Sequence, residues 1–196
     1  MKHESATTLP HINTIQRQPT LKPQDLLVAL KVFALGGSSW ILTDIASPIH
    51  VSVSEVHGAL RRLVRSQMFN LTTGNANAAN LFEFIVHGVK YWLPPVVGPL
   101  GRGLATAGFG PPLKDLLAEV APGSPSSFVW PLPDGREMGQ QLQPFFPTVP
   151  MAAAADPRLH ELLALVEVFR VGSARERKIG TQELARRLGV ARASEP

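Results

Sequence analysis

The sequence predicts a mainly α-helical protein, and three observations support this fold class. Apolar residues recur every three or four positions in several segments, as on one face of a helix. Helix-starting signals stand before those segments, such as Ser52 followed by Glu55. Residues 94–150 hold 12 of the chain's 18 prolines, so long helices are excluded there and expected elsewhere.

Length and composition exclude several classes of protein. The 196 residues suit one domain, or one small domain with appendages. Hydrophobic residues make up 44% of the chain, enough for a core, but no apolar run has the roughly 18 residues of a membrane span. The N-terminus lacks the apolar region of a secretory signal, and there is no cysteine. We therefore expect a soluble, cytoplasmic protein without membrane contact. Its net charge of +4 favours polyanionic partners.

Three helices are predicted in the first part of the chain, after a polar stretch over residues 1–20 that reads as a flexible arm. The first helix has Pro23 in its first turn and ends at Gly36-Gly37. The second is short, lies in SWILTDIAS, and is stopped by Pro48. The third runs from Ser52 to about Gln67 and starts with a Ser-x-x-Glu capping box.

The third helix is predicted to have one apolar face and one basic face. At 100° per residue, its apolar side chains gather on one side: Val53, Val56, Leu60, Leu63 and Val64. The opposite side carries Ser54, His57, Gly58, Arg61 and Arg65, with Arg62 at its margin. Small residues at the start and arginines further along would let this face approach a DNA groove and then meet phosphates.

The stretch LTDIASPIHVSVSEVHGALRRL, from Leu42 to Leu63, resembles the helix-turn-helix of bacterial winged-helix transcription regulators, including the MarR-like group. Thr43 and Asp44 stand where that pattern opens its second helix, and His50 stands at the turn, where the family usually has glycine. With the first helix, the resemblance covers about 45 residues. It implies a winged-helix domain whose wing would fall on NLTTGNANAAN, which has no basic residue.

The resemblance implies double-stranded DNA as the partner, a homodimer that binds two half-sites, and repression of transcription. We expect the side chains of Ser54, His57 and Arg61 to face base edges. Arg62 and Arg65 are expected to contact phosphates, and Ser52 to position the helix.

The rest of the chain is predicted to hold a helix from Leu81 to about Trp92, a short helix from Leu113 to Val120, and a small β-hairpin around Asp134-Gly135. A helix capped by Asp156 and ending at Gly172 follows, and then a last helix. The apolar stripe of the Asp156 helix fits either the core or a dimer seam: Leu159, Leu162, Leu163, Val166 and Phe169.

The predicted organisation is an arm over residues 1–20, a winged-helix-like DNA-binding domain over residues 21–93, and a region for dimerisation or partner binding over residues 94–196. The alternative is a winged-helix module whose third helix meets a protein encoded in the same operon, as in an antitoxin or defence system. A weaker idea is a small-molecule pocket near Trp92. No nucleophile elbow, phosphate loop or metal-ligand spacing occurs, so we expect neither enzymatic activity nor a cofactor or metal.

Overall fold

The computed structural model describes residues 20–120 and 127–190, and the predicted arm therefore lies almost entirely outside the described residues. About 56% of the described residues are helical and 15% are in strands. The helices are α1 (Pro23–Ala34), α2 (Leu42–Ala46), α3 (Val53–Arg65), α4 (Ala78–Glu83), α5 (Val89–Trp92), α6 (Leu113–Val120), α7 (Val149–Ala155), α8 (Pro157–Val171) and α9 (Ala174–Leu188). The strands are β1 (Phe69–Asn70), β2 (Asn75–Ala76), β3 (Val97–Thr106), β4 (Phe128–Pro131) and β5 (Glu137–Leu142).

The first three helices are confirmed. Pro23 lies in the first turn of α1, and Gly36 and Gly37 follow its end with φ values of 68° and 80°. Helix α2 ends two residues before Pro48. In the turn between α2 and α3, His50 has a φ of 54°, the left-handed conformation that the glycine-preferring position requires.

A minimal hairpin and an irregular helix follow α3. Strands β1 and β2 pair antiparallel through two residue pairs, with Gly74 at a φ of 66° just before β2. Helices α4 and α5 flank a π-helical turn, Phe84–Gly88, so that one helical segment runs from residue 78 to residue 92. The predicted helix from Leu81 to about Trp92 is confirmed.

The proline-rich middle region forms a three-stranded sheet, which corrects the predicted hairpin. Strand β3 pairs antiparallel with both β4 and β5, and β4 and β5 pair parallel with each other, so the turn at Asp134-Gly135 does not join antiparallel partners. Strand β3 has ten residues, begins after Pro95 and contains three glycines. Because glycine and proline are depleted in strands, this composition did not predict a strand. Gly103 pairs with both neighbouring strands, and an added Cβ would overlap the carbonyl of Trp130.

The predicted fold class is therefore wrong. Helices dominate, but they are combined with a three-stranded sheet and a two-stranded hairpin, which makes the architecture mixed. The winged-helix assignment is not confirmed, because the hairpin in the place of the wing has strands of only two residues. The error came from long-range pairing: β3 and β5 meet across more than 30 residues, and no local periodicity reports this.

Helix α8 is the centre of the fold. The side chain of Asp156 caps it and also accepts a hydrogen bond from Lys31 of α1, with Nζ 2.8 Å from Oδ2. Every residue from Leu162 to Arg170 is buried. The predicted apolar stripe of α8 lies in the core of this chain, so it does not provide a dimer seam.

A buried polar cluster holds α8 to the rest of the chain. Arg170 donates to Glu167 (2.6 Å) and to the carbonyl oxygens of Leu93 (2.7 Å) and Pro94 (3.3 Å). Glu167 also accepts from Nε1 of Trp130 on β4. Complete burial raises the pKa of Glu167 to about 7, because desolvation outweighs the attraction of Arg170.

The buried residues on both sides of the predicted domain boundary at residue 93 form one cluster that extends from Leu26 to Leu188. Whether the two parts act as separate functional domains stays a prediction. Among the helices that the structure describes, none combines the length and the apolarity needed to cross a bilayer.

Candidate nucleic-acid interface

Helix α3 begins where the capping box predicts. The hydroxyl oxygen of Ser52 accepts a hydrogen bond from the amide of Glu55 (3.2 Å), and the Glu55 carboxylate accepts one from the amide of Ser52 (2.9 Å). The hydrogen bond from that backbone amide lowers the pKa of Glu55. Ser52 therefore fixes the start of the helix, as expected for its positioning role.

The buried face of α3 is narrower than predicted. Val56, Leu60 and Leu63 are buried as expected, and Ala59 joins them. Val53 is 42% exposed, because the first residue of the helix lies beyond the edge of the core. The prediction that Val53 belongs to the buried face, which rested on helix periodicity alone, was wrong.

Arg62 makes a bidentate ion pair with Asp25 of α1. Its Nε and Nη2 atoms lie 2.7 and 2.6 Å from the two carboxylate oxygens. The Asp25 side chain is completely buried, while that of Arg62 is 19% exposed. The hydrogen bonds to Asp25 raise the pKa of Arg62. This corrects the phosphate role expected for Arg62: its guanidinium is occupied within the chain and joins α1 to α3.

The remaining predicted residues share one outward surface, which we call the basic face: Ser54, His57, Arg61 and Arg65. All four are exposed. Arg61 and Arg65 are one turn apart, and neither makes an ion pair with any residue in the ranges 20–120 and 127–190. The ion pair of Arg62 with Asp25 holds α3 against α1, while the side chains of Arg61 and Arg65 remain exposed.

One feature of this surface was missed by sequence reasoning. A groove of about 410 Å³ lies between α3 and the β1–β2 hairpin, with apolar walls formed by Trp40, Leu60, Val64, Phe69 and Leu71. We call it the α3–hairpin groove. His57, Arg61 and Arg65 line it as well, so the basic face and the groove share three residues.

The groove has a defined wall. Nε1 of Trp40 donates to the carbonyl oxygen of Gly74 (3.2 Å), and the Trp40 ring meets Phe69 edge to face at 6.2 Å between centroids. These contacts join the segment before α2 to the hairpin. The sequence signal that could have revealed the groove was Trp40, a large side chain that the prediction put inside the second helix and that lies just before α2 in the structure.

The arrangement of these side chains is suited to binding anions. It presents two unpaired guanidinium groups, an imidazole and a hydroxyl beside an apolar surface, and none of the groove residues is acidic. Arginines in this setting suit phosphate or carboxylate groups, which they bind in a planar, bidentate manner.

Comparisons with family models, with curated proteins and with solved structures find no match for this chain.

Proposed function

We propose that this protein is a sequence-specific DNA-binding regulator that inserts α3 into the major groove. The observation that supports the proposal is the basic face, where Arg61 and Arg65 project together from a helix whose opposite side is buried. A helix of 13 residues is about 20 Å long, and an α-helix fits the width of the major groove.

The shape of α3 agrees with this use. Its N-terminal half presents Ser54 and His57, which are short enough to let the helix approach base edges, while Gly58 adds no side chain. Arg61 follows one turn after His57 and can reach a guanine edge. Arg65 lies near the end of the helix and is assigned to phosphate.

Arg62 has a different part in this proposal. It acts as a positioning residue, because its ion pair with Asp25 sets the rotation of α3 and thereby the direction of Arg61 and Arg65. Binding as a homodimer to two half-sites and repression as the outcome complete the proposal, and they rest on the resemblance of residues 42–63. A cytoplasmic location is proposed with them from the composition of the chain, which has no cysteine.

The proposal is tested by selecting bound fragments from random duplexes and then titrating the selected duplex in gel-shift assays. Arg65→Ala should weaken binding to selected and unrelated duplexes alike, and should lower the slope of log affinity against log salt by about one. Arg61→Ala should cost about 1–3 kcal/mol on the selected duplex and relax preference at one base position.

Arg136→Ala is the matched control, since Arg136 is an exposed arginine in the loop between β4 and β5, away from α3. Its affinity should equal that of the unmodified protein. Enrichment of no sequence, or equal binding by the Arg61, Arg65 and Arg136 variants, would refute DNA recognition by α3.

A further inference from the structure

We propose that the α3–hairpin groove is the docking site for an acidic amphipathic helix of a partner protein. The observations that support docking do not depend on the proposed DNA binding. A second element, competition between that helix and DNA, rests on the proposed function, because both ligands would use Arg61 and Arg65.

The apolar part of the argument is the lining. The groove opens to solvent, and its apolar lining residues differ in exposure: Leu60 and Phe69 are buried, while Trp40 and Val64 are half-buried. Leu71, at the tip of the hairpin, is 72% exposed. It is the most exposed apolar residue of the groove lining, as expected where a partner's side chains make contact.

Charge determines the chemistry of the occupant. Two arginines and a histidine stand along one edge of the groove, and no Asp or Glu is among its lining residues. A partner segment with leucines or aromatic residues on one face and carboxylates beside them would satisfy both parts of the surface. The same cations would repel a basic segment.

The elements that form the groove indicate which secondary structure the partner segment should have. The hairpin strands have two residues each, too few for an incoming strand to extend the sheet by backbone pairing. The groove between α3 and the hairpin instead receives side chains, which is the way an amphipathic helix binds. The contacts of Trp40 with Gly74 and Phe69 hold the wall in place before the partner arrives.

The first test is a fluorescence-anisotropy titration of the full chain with a labelled helical peptide of about 15 residues that has leucines at i, i+3, i+4 and i+7 and glutamates on both flanks. A peptide of the same composition in scrambled order and one with glutamine in place of glutamate are the controls. We expect saturable binding of the first peptide only. Equal binding of the three peptides would overturn the proposal.

Two matched leucines test the location. Leu71→Ser should weaken peptide binding about ten-fold, the effect of losing a buried leucine contact. Leu100→Ser changes an equally exposed leucine (73%) on β3, outside the groove, and should leave peptide binding unchanged. Arg65→Glu should abolish it. If Leu71→Ser binds the peptide like the unmodified protein, the groove is not the site.

The second test separates docking from competition. Adding the peptide to a preformed complex with the selected duplex should release the DNA, and Leu71→Ser should remove this effect while retaining DNA affinity within about two-fold. A ternary complex would overturn the competition. If no duplex binds at all, the proposed function fails, while the peptide titration still decides the docking.

Sedimentation equilibrium tests whether a second copy of this chain occupies the groove instead. A dimer that dissociates in Leu71→Ser and that does not bind the peptide would assign the groove to a second copy and overturn the proposal.

Discussion

Helices α3 and α8 are similar in length and are both started by a polar cap residue, yet the protein uses them in opposite ways. Helix α3 buries one narrow face and exposes the basic face. Helix α8 is buried on all sides from Leu162 to Arg170, and the two charged residues of this stretch, Glu167 and Arg170, are paired inside the core. Arginine therefore has two roles in this chain: it is available to a ligand on α3 and it is part of the architecture in α8.

Arg62 lies between these two roles. Like Arg170, it pairs with a completely buried carboxylate, but it keeps 19% of its side chain exposed and has free arginines beside it. The comparison shows that the burial of the partner carboxylate distinguishes an architectural arginine from an available one. Substitutions of paired and unpaired arginines, and of a buried carboxylate, test this distinction.

The largest effect is expected from Arg170→Ala. It would leave Glu167 without its counter-ion and the carbonyl oxygens of Leu93 and Pro94 without their donor. We expect the free energy of unfolding to fall by about 3–5 kcal/mol, measured by urea denaturation. Arg186→Ala breaks an ion pair of the same i, i+3 spacing on the surface of α9 and should cost under about 1 kcal/mol. Equal losses in the two variants would contradict the assigned role.

Arg62→Ala should lower the free energy of unfolding by about 3 kcal/mol, because Asp25 would remain buried and unpaired. The neighbouring Arg61→Ala should change it by under about 0.5 kcal/mol, since Arg61 is exposed. The double variant Asp25→Ala with Arg62→Ala should recover part of the loss, as no lone charge would stay in the interior. A double variant less stable than the sum of the two single variants would show that the pair is not the cause.

The pH dependence of stability should reveal Glu167. Its pKa is about 7 in the folded state and lower in the unfolded chain, so the folded state retains the proton longer as pH rises. The stabilisation is present at acidic pH and is lost as pH rises through 7. Relative to Glu167→Gln, the free energy of unfolding of the unmodified protein should fall by about 2 kcal/mol between about pH 5.5 and 8. Parallel pH profiles of the two proteins would exclude Glu167 as the titrating group.

The smallest effect concerns glycines inside helices. A Cβ added at Gly58 of α3 would meet only Nη1 of Arg62, at 3.4 Å, so Gly58→Ala should stabilise the protein by about 0.5–1 kcal/mol in thermal unfolding. In α9, a Cβ at Gly180 would lie 3.0 Å from Cγ1 of Val168 on α8. Gly180→Ala should therefore bring no gain. If Gly180→Ala raised the stability and Gly58→Ala did not, the explanation from the space around the two glycines would be wrong.

Several elements could be predicted from the sequence because their signals are local. The capping box of Ser52, the Asp156 cap and Gly36-Gly37 each act on residues within one turn, so α1, α3 and α8 begin or end as expected. The exposure of Ser54, His57, Arg61 and Arg65 followed from helix periodicity for the same reason. The left-handed conformation of His50 lies at the position where the resembling family usually has glycine.

Tertiary structure decided what depends on distant partners. The three-stranded sheet requires β3 to meet β5 across the chain, and the α3–hairpin groove requires Trp40 to reach Gly74. Arg62 lies on the margin of the basic face by sequence, but its partner Asp25 is 37 residues away. Periodicity assigns a side chain to a face of its helix, while the available space and charge at that face come from other segments. Local signals in the sequence therefore predicted where α1, α3 and α8 begin or end and which face of α3 is exposed, and only the packed chain determined which of its arginines are free to bind.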